Sequence, residues 1–250
     1  MKIFSDIAYA GESPLQKLDI ILPDEGSIFP VFIYIHGGGI ENGDKAGLNF
    51  FSTMTDRGIA IVSINYRMYP NTKYPEFIED CAMATDWTMK NIGRYCKPRG
   101  FYLGGSSAGG YLSMMLCFDK RWLAPYGIKP TDIDGYIHDA GQPTAHFNVL
   151  KYSGIDSKRV IVDETAPLYH IGVDEKYSRM LFIVSDNDRE NRYEQTLLVL
   201  STLKHFGHTE PEVTWKLMHG KHCEYLRDYM LSPEGVSPFG TVAADFILGK

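Results

Sequence analysis

The chain has 250 residues, 44% of them hydrophobic and 22% charged, with a formal net charge of −6. That length and balance suit one folded domain over residues 1–250 with a sizeable core, and the interleaved acidic excess excludes the basic footprint that nucleic acid requires. No run approaches the length of an apolar membrane span, and Cys81, Cys96, Cys117 and Cys223 form no C-x-x-C pair, so reduced thiols in a cytoplasmic protein are expected.

In chain order, the alternating run Gln16 to Pro23 reads as an antiparallel edge strand. The continuous apolar runs Pro30 to Ile35 and Gly58 to Ile64 read as strands buried on both faces, as a parallel sheet demands. Phe77, Ile78, Cys81, Ala84, Trp87 and Met89 recur at helical spacing between Glu76 and Ile92. Gly100 to Gly104 is a strand run, and Tyr111, Leu112, Met115 and Leu116 carry a helix after it. Ile133 to His138, Met180 to Val184 and Glu212 to Leu217 predict three more strands. A helix from about Arg192 to Phe206 separates the last two, and a C-terminal helix ends near Ile247 and Leu248. Strands alternating with helices predict an α/β class: a doubly wound, mostly parallel sheet with helices on both faces and right-handed crossovers. Residues 140–176, rich in Gly, Pro, His and Tyr, interrupt the pattern and read as a lid or insert, or a loop carrying short helices, with an ordinary surface excursion as the alternative.

Chemistry gathers at the ends of these strands, the edge at which α/β sheets bind ligands. Gly105-Ser106-Ser107-Ala108-Gly109-Gly110 is a G-x-S-x-G turn between strand and helix, which would lift the Ser107 hydroxyl clear of the sheet. Alone, it is also what an ordinary glycine-rich turn looks like. A serine hydroxyl needs a base beside it and donors for a developing oxyanion. His36-Gly37-Gly38-Gly39 follows a buried strand, so the amides of Gly38 and Gly39, with that of Ala108, are candidates for an oxyanion hole. Ser185-Asp186-Asn187-Asp188 places carboxylates at another strand end; Asp188 is preferred as the acid, with Asp186 kept open. After the last strand come His219 and His222, of which His222, beyond the glycine turn, is preferred as the base. His138, His146, His170, His205 and His208 have no comparable placement, His36 is expected to shape its own loop, and no metal site or cofactor is expected.

With these residues, the chain resembles α/β-hydrolases of the hormone-sensitive-lipase-like and compact acetyl-xylan and feruloyl carbohydrate-esterase group. Four blocks carry the resemblance: His36 to Gly39 with Asn42-Gly43-Asp44-Lys45; Asn65-Tyr66-Arg67 leading to Tyr74-Pro75-Glu76 and Glu79-Asp80; Gly105 to Gly110; and Asp188 with His222. Two positions depart from the group: Ile40, often aromatic, and Ser106, often Asp. Only 35 residues precede His36, so the large N-terminal cap of the lipase-like members is expected to be missing. The resemblance implies a serine esterase working through an acyl-enzyme on short-chain or aromatic acyl esters of a small molecule or oligosaccharide. An arylformamidase- or peptidase-like amide hydrolase and a non-catalytic binding protein of the same fold are the alternatives. Tyr69, Tyr152, Tyr169 and Trp122 offer rings that could stack on a sugar, although packing is the commoner role for each. Oligomeric state is left open.

Overall fold

The computed structural model describes residues 1–174, 176–227 and 230–250. Eight strands form one sheet in the order β1-β2-β4-β3-β5-β6-β7-β8. They are β1 (Lys2–Ala8), β2 (Lys17–Leu22), β3 (Ile28–Ile35), β4 (Ala60–Ile64), β5 (Lys97–Ser106), β6 (Gly135–Asp139), β7 (Arg179–Asn187) and β8 (Val213–Lys221). The helices are α1 (Phe50–Thr55), α2 (Glu76–Asn91), α3 (Ala108–Phe118), α4 (Phe147–Tyr152), α5 (Arg192–His205) and α6 (Pro238–Leu248). The β1–β2 and β2–β4 pairs are antiparallel, and every other pairing is parallel.

The strand alternation sorts the core into two layers. Val31, Ile33 and Ile35 of β3 point to the face covered by α2, α3 and α5, where they join Ile78, Cys81, Leu112, Met115 and Val199. Phe32 and Tyr34 point to the other face, under α1 and α6, against Phe50, Met54, Phe239 and Ala243. Because both faces are covered, β4 and β6 are buried along their whole length, which is why these strands read as unbroken apolar runs. The C-terminal helix has explicit boundaries: the Ser237 side chain accepts the Gly240 N–H, Pro238 opens the helix and Gly249 closes it in the left-handed region.

One expectation is corrected. The run Gln16 to Pro23 is antiparallel but not an edge, because β1 pairs with its outer side. The sequence hides β1 because its register shifts between Phe4 and Ile7, so its two inward residues do not keep an even spacing. The Asp6 N–H, at the shift, donates instead to Asp19 at 2.8 Å. In the stretch from Ala140 to Lys176, Ala140 to Leu150 are largely buried and Lys151 to Val160 are exposed. The stretch contains α4 and a 3-10 turn (Pro167–His170), and Ala145, Leu150 and Ala166 form a small core of its own. Tyr111 on α3 donates to the Thr165 carbonyl at 2.8 Å and so pins the stretch to the body. Among the described residues, no helix is long and apolar enough to cross a membrane.

Candidate active site

β5 ends at Ser106 and α3 begins at Ala108, leaving Ser107 alone on the turn at φ 57 and ψ −113. Such a backbone costs a non-glycine residue about 1–3 kcal/mol, and persists only where its surroundings fix it. Here the Ser107 N–H donates to the Asp139 carbonyl at 2.8 Å, and the Ser107 carbonyl accepts from Tyr111 N–H at 3.1 Å. The turn also presses against the end of β3. A Cβ on Gly109 would lie 1.9 Å from the Ile35 carbonyl oxygen, and one on Gly105 would lie 2.4 Å from it. Both glycines are needed because no side chain fits between strand and helix.

The Ser107 Oγ lies 2.8 Å from His222 Nε2, and His222 Nδ1 lies 2.5 Å from Asp188 Oδ1. An ionised Asp188 can only accept, so Nδ1 carries the imidazole proton and Nε2 is left to accept from the serine hydroxyl. Asp188 also accepts the Arg189 N–H at 2.7 Å and the Ser185 N–H at 3.3 Å. Burial works to raise its pKa, but the bond and charge of His222 and these two amides outweigh it and hold the carboxyl below its ordinary value. Ser185 ties the acid turn to the base turn by donating its hydroxyl to the Lys221 carbonyl at 2.9 Å. The other two candidates pair with each other: Asp186 Oδ2 meets His219 Nδ1 at 2.6 Å. The His219 side chain is 92% exposed, whereas that of Asp188 is 0% exposed and that of His222 only 14%. Asp186 and His219 are therefore a surface pair apart from Ser107.

The glycine loop after β3 is shaped by its own residues. Gly38 at φ 107 has no room for a Cβ, which would fall 1.8 Å from the Asn42 carbonyl oxygen. His36 is stacked on Tyr66 with ring centroids 4.5 Å apart, its Nδ1 meets the Gly37 carbonyl at 2.6 Å, and its carbonyl accepts the Tyr66 hydroxyl at 2.9 Å. Burial holds the imidazole below its ordinary pKa, so it donates as a neutral ring. Asn65 fastens the following turn, giving Nδ2 to Asp44 at 2.8 Å and accepting the Lys45 N–H at 2.6 Å. Ile40 turns into the core at φ 61, a left-handed conformation unusual for a β-branched side chain. The N–H groups of Gly38, Gly39 and Ala108 donate to no acceptor among the described residues.

Ser107, His222, Gly37, Gly38, Gly39, Asn148, Phe147, Arg189 and Arg227 line one cleft of about 730 Å³. Nothing in the sequence singles out Asn148, which lies in the irregular stretch yet donates Nδ2 to the Gly39 carbonyl at 2.5 Å. Asp139 is equally silent. It ends β6 opposite Ser106, and its side chain accepts the hydroxyl of Tyr225, three residues beyond His222. Its backbone holds the Ser107 turn while its side chain holds the His222 turn. Burial pushes its carboxyl up to about 7. The four aromatic candidates lie elsewhere: Tyr69 and Tyr152 stack on each other at 4.0 Å, Trp122 meets Tyr74, and Tyr169 lies against His170, none of them lining this cleft. Among the described residues, no group of three or more His, Cys, Asp or Glu is placed to hold a metal ion.

The chain is similar to carboxylic ester hydrolase LipN of Mycobacterium tuberculosis (strain ATCC 25618 / H37Rv), at 32% identity over 128 residues, which is 50% of this chain and 33% of that protein. The chain spans less than half the length of the curated relatives it matches. Among solved structures, a truncated carbohydrate esterase from gut microbiota superposes with a TM-score of 0.79 at 18% identity, covering 100% of this chain and 96% of that one. Esterase B from Lactobacillus Rhamnosis (HN001) superposes at 0.76 with 20% identity, covering 98% and 85%. At such identities the likeness speaks for the fold, which is that of the α/β-hydrolases. The family pattern BD-FAE matches residues 18–150, from β2 through the glycine loop and the Ser107 turn into α4, and the chain belongs to the BD-FAE family.

Proposed function

We propose that this protein is a serine carboxylic ester hydrolase that works through an acyl-enzyme, taking short-chain or aromatic acyl esters carried on a carbohydrate. One observation carries the reading: a serine hydroxyl 2.8 Å from an imidazole nitrogen, whose other nitrogen meets a buried carboxylate, beside three uncommitted amides. His222 Nε2 takes the Ser107 proton as Oγ bonds to the carbonyl carbon, and the carbonyl electron pair moves onto oxygen. The amides of Gly38, Gly39 and Ala108 receive that oxyanion; loss of one such donor costs about 3 kcal/mol of barrier. Collapse of the intermediate breaks the bond to the alcohol oxygen, which leaves with the proton from His222. Water then repeats the sequence and releases the acid. Asp188 holds the imidazole tautomer and stabilises its charge without taking the proton.

The carbohydrate part of the reading is supported by the resemblance to compact carbohydrate esterases and by the broad cleft, roomy enough for a bulky polar alcohol. The test is turnover of p-nitrophenyl acetate by the wild type and by Ser107→Ala, followed by acetylated and feruloylated xylo-oligosaccharides beside N-formyl aryl amides. Turnover of the sugar esters that vanishes in Ser107→Ala is expected. Undiminished activity in that variant, or turnover of the amides alone, overturns the reading.

A further inference from the structure

Charge in the cleft is unevenly committed. Glu41 is held by Lys151 Nζ at 2.7 Å and by the Tyr152 hydroxyl at 3.0 Å. Asp44 accepts from Asn65 Nδ2 and from the Ala46 N–H, each at 2.8 Å. Asp188 is closed off behind His222. The carboxylates near the cleft thus have partners on the chain itself. Arg189 and Arg227 line the same cleft, and neither forms an ion pair with any described residue.

Arg189 is exposed, and two contacts place it. Its backbone N–H donates to Asp188, and its guanidinium carbon lies 5.7 Å from the centroid of the Phe147 ring. Phe147 in turn packs on the glycine loop, since a Cβ on Gly39 would come 3.4 Å from its Cζ. Guanidinium, ring and glycine loop thus follow one another along the cleft wall. The field of Arg189 reaches inward as well. Burial depresses the pKa of His146 at the N-terminus of α4, and the charges of Arg192 and Arg189 add to that depression.

We infer that Arg189, with Arg227, forms an anion subsite that takes a carboxylate carried by the substrate, such as that of a uronate-bearing sugar or of a dicarboxylic acyl arm; this rests on the ester-hydrolase reading above. A guanidinium offers a planar fork that matches a carboxylate with two parallel hydrogen bonds. Both residues are exposed, so the attraction is open to screening by salt.

Two matched pairs of esters test the subsite and tell the two arms apart. 4-Acetoxybenzoate and its methyl ester carry the difference on the alcohol side; the 4-nitrophenyl monoester of glutarate and 4-nitrophenyl pentanoate carry it on the acyl side. Each kcat/KM is divided by that ester's hydroxide-catalysed rate, to remove intrinsic reactivity. The expected result is that the anionic member of one pair is favoured by about tenfold at low ionic strength, and that added salt shrinks the preference. Arg189→Gln should bring that ratio down by most of the tenfold, and Arg227→Gln by a smaller factor. The pair that shows the preference identifies the arm. Preference for the neutral member in both pairs, or ratios that Arg189→Gln leaves in place, overturns the subsite. Hydrolysis of the neutral esters reports separately on the ester-hydrolase reading. Calorimetric binding of 4-acetoxybenzoate to Ser107→Ala needs no turnover: tighter binding than its methyl ester, lost when Arg189→Gln is added, supports an alcohol-side subsite. Equal binding of the glutarate and pentanoate esters as well as of the benzoate pair overturns it for both arms.

Discussion

Two aspartate–histidine pairs stand side by side at the ends of β7 and β8, and burial sets them apart. Asp188 and His222 are withdrawn from water and reach Ser107; Asp186 and His219 face solvent. The buried carboxylate, held by the imidazole N–H and two amides, fixes the ring that faces Ser107, whereas a screened surface pair contributes little. Asp188→Asn should therefore lower kcat for p-nitrophenyl acetate by about 10³–10⁴-fold, because it imposes the wrong imidazole tautomer. Asp186→Asn should change it by less than about threefold, as expected for a screened surface pair. Equal losses would contradict the assignment. Asp139 gives a pH-dependent prediction. Its folded value of about 7 lies above the ordinary 3.8. As pH rises from about 4, the unfolded chain sheds this proton while the folded chain keeps it to about 7, so stability falls across that window and levels off above it. Asp139→Asn keeps an acceptor for Tyr225 but cannot titrate. Its stability relative to wild type should improve by up to about 4 kcal/mol between those pH values, read from urea midpoints. An offset that does not change with pH would show that the carboxyl does not titrate there.

At the scale of elements, the strand–turn–helix of Ser107 depends on β3 and α3 approaching within backbone contact. Gly109→Ala puts a methyl group 1.9 Å from the Ile35 oxygen, so strand or helix must move. The expected cost is about 2–4 kcal/mol in urea denaturation, with turnover down more than about tenfold. Gly93→Ala, whose Cβ would meet nothing within 4 Å, is the control and should leave both near wild type. Much of this level was legible in the sequence, for a physical reason. β3 and β4 are buried on both faces and so are written as apolar runs, and the turns after β3 and at the end of β5 need glycines that are visible as glycines. What could not be read was pairing across distance. β1 was hidden by its register shift, and the edge assignment of β2 failed with it. Asn148 on Gly39, Asp139 on Tyr225 and Arg189 over Phe147 join residues 109, 86 and 42 positions apart, and no local periodicity encodes such contacts.

At the scale of the molecule, parallel pairing sends the C-terminal ends of β3, β5, β7 and β8 to one edge of the sheet, and each end brings one part of the candidate site. A buried ion pair secures the region where β2, the segment after β4 and α2 meet. Asp80, 0% exposed, accepts from Arg67 through Nε and Nη2, from the Arg67 N–H and from Gln16 Nε2. Asp80→Ala strands all of these donors and should cost about 3–5 kcal/mol in denaturant titration. Retained stability would mean that Glu12 and Glu76, at 3.4 and 3.9 Å from Arg67, take over the charge. The central claim is that this assembly makes Ser107 a nucleophile. Its most direct test is reaction with a fluorophosphonate, in which Oγ bonds to phosphorus and fluoride leaves, followed by intact mass and peptide mapping. One adduct per chain, on Ser107 and absent from Ser107→Ala, is the predicted result; an unreactive chain, or a label carried by another residue such as the neighbouring Cys223, would contradict it.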